Sequence, residues 1–152
     1  MSAAFQRIRR DILCRVRDRE RLREEILDMR RRIGESAGAG VDVKREPGGI
    51  VDIEFMVQYL VLAWAAEHPI LADWTDNVRI LETAATVGLL DANTAAALKD
   101  AYLALRSERH REALDIPDDG RAREVLDRYG AFIREQWNRL LRPGSEHAGV
   151  QE

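Results

Sequence analysis

The chain has 152 residues, which predicts a single domain large enough to bury a hydrophobic core. Its formal net charge of −3 gives no overall indication of binding to nucleic acid or to an anionic membrane. One cysteine, Cys14, excludes an internal disulfide and fits a reducing compartment. With no signal-peptide pattern and no transmembrane run, we expect a cytoplasmic protein without a membrane partner.

The first 33 residues are rich in arginine, with eleven arginines against six acidic residues. Such a local excess of positive charge is typical of a solvated helix face, or of a first element that is electrostatically distinct from the rest. Apolar residues recur at spacings of three and four in two runs, Phe5, Ile8, Ile12 and Val16, then Leu22, Ile26, Met29 and Ile33. The spacing predicts either one long amphipathic helix over 4–33 or two helices with a break near Asp18.

A glycine-rich loop over 34–50 separates this first element from the rest of the chain. Val41-Asp42-Val43 alternates and indicates a short extended piece, and Pro47-Gly48-Gly49 breaks any regular element. The run from Val51 is apolar on nearly every side, which predicts a buried central helix at about 51–67. At roughly 16 residues it is too short to span a membrane.

Three further helices are predicted downstream, each with a recognisable start or stop. Thr75 or Asp76 caps a helix that ends at Gly88, and Asp91 caps the next, which closes before Pro117. The last follows 118–120 and stops at Pro143-Gly144. We therefore expect an all-α bundle of five or six helices around the central helix, forming one domain over 4–142 with a disordered tail at 143–152.

Asp52 and Glu54 are the first candidates for chemistry. On a strand both carboxylates would point to one side, as a two-metal hydrolase or nucleotidyl site requires. On a helix they diverge by about 200°, and acids on a first turn complement the helix dipole instead. Asp52 shares the buried side with Phe55, Met56 and Tyr59, so we expect it to have a partner, Lys44 or Arg45.

Two further groups have both a functional and a structural interpretation. Gly48-Gly49 and Lys44 are compatible with a phosphate contact at a helix start, although a simple turn is the commoner explanation. Tyr102, Arg106 and His110 share one helix face, which indicates either a polar recognition strip or a bundle rim. Asn77 and Arg79 open the helix before it. The three histidines and Cys14 show no metal-ligand spacing, and no metal site is expected.

The loop and central helix resemble the glutamine synthetase adenylyltransferase family, also called the glutamate-ammonia-ligase adenylyltransferases. The matching motif consists of Lys44, Gly48, Gly49, Ile50, Asp52, Ile53, Glu54 and Phe55, continued by 58–62. The segments 74–82 and 101–110 resemble later helices of the family, and the likeness covers roughly residues 5–142. It is closer to the helical domain of the C-terminal, adenylylating half than to that of the deadenylylating half.

The resemblance implies an enzyme that transfers AMP from ATP to a tyrosine of glutamine synthetase and removes it again, regulating nitrogen assimilation under control of glutamine and the PII signal protein. In that family the Mg²⁺-binding motif lies on a preceding nucleotidyltransferase domain and is absent here, where the only Gly-Ser is Gly144-Ser145. The resemblance thus implies no catalytic residue in this chain, no ATP or Mg²⁺ bound by it alone, and no adenylylation by it alone. The implied partners are the preceding nucleotidyltransferase domain, glutamine synthetase and PII.

The same resemblance assigns candidate roles to the residues named above. The candidates for nucleotide binding or for bracing a domain interface are Lys44, Arg45, Gly48, Gly49, Asp52 and Glu54. The candidates for a partner surface are Asn77, Arg79, Tyr102, Arg106 and His110. The family assignment implies no nucleic-acid partner. The alternative function is a helical adaptor whose basic first helix binds a protein or a nucleic acid, and nucleic-acid binding would weaken steeply as salt rises.

Overall fold

The computed structural model describes residues 2–35 and 40–144, and this part of the chain contains helices but no strand. The α-helices are α1 (Ala3–Leu13), α2 (Arg19–Glu35), α3 (Ile50–Trp64), α4 (Asn77–Thr86), α5 (Ala92–Ala113) and α6 (Arg121–Leu141), with a 3-10 helix at Pro69–Asp73. The predicted all-α bundle is confirmed. The predicted tail lies outside the described residues from position 145, as does part of the glycine-rich loop, 36–39.

Helix α3 is the centre of the bundle, as its all-round apolar sequence predicts. It packs against α2, α4, α5 and α6, and ten of its fifteen residues are buried. The side chains of Ile53, Met56 and Leu60 are almost completely removed from solvent. The helix begins one residue earlier than predicted. It ends at Trp64, and residues 65–67, which were predicted to be helical, form a turn. No helix within the described ranges has the length and apolar character that a membrane span requires.

The arginine-rich first element forms two helices with a break before Arg19, which resolves the two alternatives left by the sequence. Asp18 marks the start of α2, since its carboxylate accepts hydrogen bonds from the amides of Glu20 and Arg21 at 3.0 and 3.2 Å. Helix α2 then buries Leu22 and Ile26 in the core. The apolar repeat that begins at Leu22 therefore does mark the side of α2 that faces the core.

Helix α1 forms as predicted, but its apolar side faces solvent. It contains no buried residue, and Phe5, Ile8 and Ile12 are 44–58% exposed. Polar contacts hold it to the 3-10 helix. The guanidinium of Arg9 donates to the carbonyls of Ala72 and Trp74, and Arg10 lies 3.7 Å from Asp73. An amphipathic repeat thus predicted the helix correctly without predicting burial.

The capping residues named from the sequence lie at the helix ends. Asp76 caps α4 by accepting from the amide of Val78 at 2.9 Å, and Asp91 caps α5 by accepting from the amide of Thr94 at 2.8 Å. Gly88 follows the end of α4 with a φ of +84°, a conformation that glycine adopts without steric cost. No strand forms at 41–43, where a short extended piece was predicted, and residue 43 begins a turn over 43–45.

The unequal burial of α1 and α3 predicts unequal effects of substitution. Ile53→Ala should lower the free energy of unfolding by about 2–5 kcal/mol, because it opens a cavity in the core. Ile8→Ser should change it by no more than about 0.5 kcal/mol, because that side chain is already largely in water. Urea unfolding followed by circular dichroism measures both, and a large loss for Ile8→Ser would show that α1 is part of the core.

The cap of α5 predicts how the carboxylate of Asp91 titrates. The pKa of Asp91 is lowered from 3.8 because the hydroxyl and the amide of Thr94 both donate to its carboxylate. The folded-state pKa lies below the unfolded one, so the stabilisation is present above about pH 4 and is lost as pH falls through the folded-state pKa. NMR titration should give a pKa below 3.8, rising in Thr94→Ala. An unshifted pKa in the parent chain would contradict the cap.

Candidate functional site

Asp52, on the first turn of α3, connects three parts of the structure. Its side chain is only 6% exposed, and each carboxylate oxygen has a donor. Oδ1 accepts from the Arg30 guanidinium of α2, and Oδ2 accepts from the amide of Gly48 at 2.7 Å. Arg30 also donates to the carbonyl of Arg45 at 2.6 Å. Because a buried charge must be paired and hydrogen-bonded, this arrangement fixes the loop, α2 and α3 relative to one another.

The two glycines of the loop are needed for close approach. Gly48 has a φ of +82°, and a Cβ atom there would lie 2.6 Å from the Cα and 2.7 Å from the carbonyl oxygen of Gly130 on α6. A Cβ at Gly49 would collide with the carbonyl oxygen of Val43 and lie 2.8 Å from that of Glu46. The loop therefore packs on α6 backbone to backbone, which requires glycine at position 48, whereas a Cβ at Gly130 would meet only the guanidinium of Arg134, at 3.1 Å.

Residues 42–46 form a turn stabilised by their own polar groups. The carboxylate of Asp42 accepts from the amides of Lys44 and Arg45 at 2.9 and 3.2 Å, and the carbonyl of Asp42 accepts from the amide of Glu46 at 3.0 Å. Glu46 is held in turn by Arg123 of α6 at 3.2 Å. The turn leads directly into α3, since the amides of residues 50 and 51 donate to the carbonyls of residues 43 and 44.

Lys44 and Arg45 do not have the role predicted for them beside Asp52. The partner of Asp52 is Arg30, with the amide of Gly48, so the expected pairing with Lys44 or Arg45 is wrong. Lys44 is half-buried, and its ammonium has no hydrogen-bond or ion-pair partner within the described residues. The guanidinium of Arg45 lies 4.0 Å from Asp42. A well-held backbone thus carries a lysine whose charge is not neutralised by a contact in this part of the chain.

Asp52 and Glu54 do not form a metal site. Both lie on α3, where residues two apart point in directions about 200° different, and both oxygens of Asp52 are occupied by donors. In the described ranges, no three His, Cys, Asp or Glu side chains are grouped so as to hold an ion. The interpretation as a metal hydrolase is therefore overturned by the helical geometry.

Only some residues of the predicted recognition strip on α5 contact one another. The side-chain amide of Asn77 donates to the hydroxyl of Tyr102 at 2.9 Å, which joins the start of α4 to α5. The guanidinium of Arg106 lies 5.5 Å from the centre of the Tyr102 ring. Arg79 instead lies 5.6 Å from the ring of Trp74, and His110 is exposed two turns beyond Tyr102. Tyr102 itself is buried, so the contact with Asn77 also has a structural role.

Sequence analysis missed Arg30 and Gly130, although both leave a signal. Arg30 lies four residues after Ile26, on the apolar side of α2, just as Asp52 lies on the apolar side of α3. Two opposite charges, each on the buried side of its own helix, indicate a pair. Gly130 stands in the middle of a helical pattern, where glycine costs stability and marks close packing.

Other arginines of the first element also contact the central helix. Arg23 donates to the hydroxyl of Tyr59 at 3.1 Å. Arg19 donates to the carbonyl of Ala63 at 3.0 Å, and its guanidinium lies 3.5 Å from the centre of the Trp64 ring. Arg19 thus places a positive charge at the C-terminal end of α3, where it complements the helix dipole.

Comparison with known proteins gives a family and several relatives. The family described as "GlnD PII-uridylyltransferase" matches residues 18–114. A bifunctional glutamine synthetase adenylyltransferase/adenylyl-removing enzyme of Pseudomonas putida is 43% identical over 130 residues, covering 75% of this chain and 13% of the relative. Proteins of the same name from Acinetobacter baylyi and Thioalkalivibrio sulfidiphilus are each 40% identical, over 156 and 148 residues and 95% of this chain. The chain spans 13–16% of the length of these three relatives.

The packing of the loop predicts that two glycines with similar backbone geometry differ in how well they tolerate substitution by alanine. Gly48→Ala should lower the free energy of unfolding by more than about 2 kcal/mol, because strain at positive φ adds to a collision with Gly130. Gly88→Ala is the matched control, with a φ of +84° and no atom near the added Cβ. It should cost only about 1–2 kcal/mol.

Chemical unfolding of both variants measures this difference. Equal losses at the two positions would show that the loop does not lie on α6 as described.

Proposed function

The chain belongs to the family described as GlnD PII-uridylyltransferase, and we propose that it is the helical domain of a glutamine synthetase adenylyltransferase. The names of the family and of the relatives both describe the transfer of a nucleotidyl group to a protein. Identity of about 40% to the glutamine synthetase enzymes supports that substrate over PII. Asp52 within the motif, together with the segment 74–82, favours the adenylylating half of such an enzyme.

The observation that carries this proposal is the contrast between the loop's backbone and the side chain of Lys44. The backbone is fixed by Asp42, by Asp52 with Arg30, and by the approach of Gly48 to Gly130. The ammonium of Lys44 has no partner within the described residues. A fixed backbone that presents an uncompensated positive charge suits an anionic group supplied from outside this domain.

In the whole enzyme we assign that anionic group to the phosphates of ATP in a neighbouring nucleotidyltransferase domain. Adenylyl transfer removes the proton of the tyrosine hydroxyl of glutamine synthetase and joins that oxygen to the α-phosphorus of ATP. The bond between the α-phosphorus and the oxygen that bridges to the β-phosphate breaks, and pyrophosphate leaves. Lys44 would stabilise the negative charge that develops on the departing pyrophosphate. The described residues offer no ligand set for Mg²⁺, so no step is assigned to a metal here.

Partners follow from the same proposal. The domain would pack against the nucleotidyltransferase domain through the 44–54 segment, with glutamine synthetase as the protein substrate and PII as a regulator in the cytoplasm. The exposed Arg79, Arg106 and His110 are the residues we assign to partner contact. The alternative of a basic adaptor has less support, because Arg19, Arg23 and Arg30 contact the bundle itself.

The test is Lys44→Ala in the whole adenylyltransferase. The rate of glutamine synthetase adenylylation should fall by roughly tenfold or more, because a charge is lost at the leaving group. The melting temperature should stay the same, because the Lys44 ammonium has no partner in the bundle. Initial rates of AMP incorporation and a thermal melt measure the two quantities.

Lys99→Ala is the matched control, since Lys99 is the other lysine of the chain and pairs with Glu82 on the surface at 3.3 Å. It should leave the rate unchanged. An unchanged rate in Lys44→Ala, with stability unchanged, would remove Lys44 from the reaction.

A further inference from the structure

Helix α1 and the 3-10 helix on which it rests form an exposed apolar patch at one end of the bundle. Within the described residues, eleven large apolar side chains are exposed by 38% or more, and six of these lie on residues 5–16 and 70–74. The six side chains, which we call the α1 patch, are those of Phe5, Ile8, Ile12, Val16, Ile70 and Trp74. Together they expose roughly 600 Å² of side-chain surface, as much as the largest apolar patch of a typical monomer, and patches of this size often bind another molecule.

The bundle itself cannot cover the apolar side of α1. Leu13 packs against the core, and Arg9 donates to two carbonyls in and next to the 3-10 helix, so these two residues define the side of α1 that faces the bundle. Ile8 and Ile12 each precede one of them by one position, and successive residues of an α-helix point about 100° apart. While Arg9 and Leu13 keep their contacts, any cover for the apolar side must come from outside this domain.

The α1 patch is separate from the 44–54 segment. That segment leads into the first turn of α3, whereas the residues that follow α1 contact the last turn of the same helix. Arg17 lies 3.5 Å from the carbonyl of Leu62, and Arg19 donates to that of Ala63 at 3.0 Å. The two ends of α3 are about 20 Å apart, since the helix has 15 residues and rises about 1.5 Å with each. The two surfaces therefore have no residue in common.

The edge of the α1 patch is positively charged. Residues 3–17 contain five arginines and one acid, Asp11. Within the described ranges the one acidic partner that these arginines find elsewhere is Asp73, 3.7 Å from Arg10. The guanidinium groups of Arg7 and Arg15 are exposed and have no hydrogen-bond or ion-pair partner among the described residues. A complementary surface is therefore apolar at its centre and has carboxylates at its edge.

We propose that the α1 patch binds another domain of the same polypeptide, one that presents an apolar surface edged with carboxylates. Both the charge and the area of the patch favour this partner over a second copy of the chain. Two copies would bring like charges together at the edge. A stable complex between separate proteins also buries about 800 Å² on each partner, more than this patch offers. Domains of one polypeptide stay in contact through less area, because their linkage keeps the effective concentration high.

The lengths of the relatives are consistent with such a neighbour. The chain spans 13–16% of three relatives, so most of each relative lies outside the matched part. The proposal rests on the proposed function in taking the chain as one domain of a longer enzyme. It does not involve Lys44 or the reaction.

The experiment is photo-cross-linking in the whole adenylyltransferase, with Ile8 replaced by p-benzoylphenylalanine. Ile8 is 58% exposed, so the bundle has room for the larger side chain. Irradiation should join residue 8 to a peptide of the same polypeptide that lies outside these 152 residues, and mass spectrometry identifies that peptide. Mixing enzyme of natural composition with enzyme labelled with heavy nitrogen distinguishes contacts within one polypeptide from contacts between two copies.

Substitutions then test the chemistry of the contact. Ile12→Asp should lower the cross-link yield by roughly tenfold or more, because it places an unpaired carboxylate against an apolar surface edged with acids. Ile12 is 44% exposed, so the same substitution should leave urea unfolding of the 152-residue chain unchanged. Arg7→Glu with Arg15→Glu retains the apolar side chains and should also lower the yield, because like charges then meet at the edge.

Leu114→Asp is the matched control, since Leu114 is 58% exposed but lies at the end of α5. It should leave the yield at position 8 unchanged. Lys44→Ala should also leave it unchanged, so the two proposals can fail separately. An unaltered adenylylation rate in Lys44→Ala counts against the role of Lys44 and not against the α1 contact.

Four outcomes would overturn the proposal. The first is the absence of any cross-link from residue 8 to the rest of the polypeptide. The second is a cross-link that joins heavy to natural chains, which would assign the patch to a second copy. The third is capture of added glutamine synthetase alone, which would assign it to the protein substrate. The fourth is an equal loss of yield in Leu114→Asp, which would show that the contact does not depend on the α1 patch.

Discussion

The buried carboxylate of Asp52 is the interaction on which the arrangement of this domain depends. A charge that is removed from water needs donors for its oxygens, and here they come from α2 and from the loop. Arg30 is 22 residues away in the chain, so the contact closes the segment between α2 and α3. Such a pair does little for stability compared with apolar packing, but losing one partner leaves the other buried and unpaired. The result is a defined position for the loop.

Close packing at the loop glycines also fixes the position of the loop, in addition to the Asp52–Arg30 pair. Gly48 lets the loop backbone lie on the backbone of α6 at Gly130, and the amides of Lys44 and Arg45 donate to Asp42 in the turn before it. Neither contact involves the side chain of Lys44. Acids, glycines and arginines of the bundle therefore hold the loop in place. The side chain of Lys44 takes no part in this and is left for the role that we propose for it. That separation is typical of sites in which a rigid scaffold positions one reactive or charged group.

Local patterns in the sequence were sufficient for most of the fold. The all-round apolar character of 53–66 predicted a buried central helix, and Asp76 and Asp91 predicted helix starts, because these signals depend only on near neighbours. The partner of Asp52 was predicted incorrectly, because proximity in sequence favoured Lys44 or Arg45 over Arg30. The contact between Gly48 and Gly130 could not be predicted from the sequence either, since it joins residues that meet only after the bundle has formed.

Helix α1 illustrates how stability is distributed in this chain. It buries no side chain, and the bonds of Arg9 and Arg10 attach it to the 3-10 helix. Leu13, which is partly buried, packs against the core, so the detachment of α1 would remove little apolar surface from it. Amide protons of α1 would exchange with solvent through this local opening, on a faster timescale than those of α3, which require global unfolding. We therefore expect α2 to α6 to unfold as one cooperative unit and α1 to open before it.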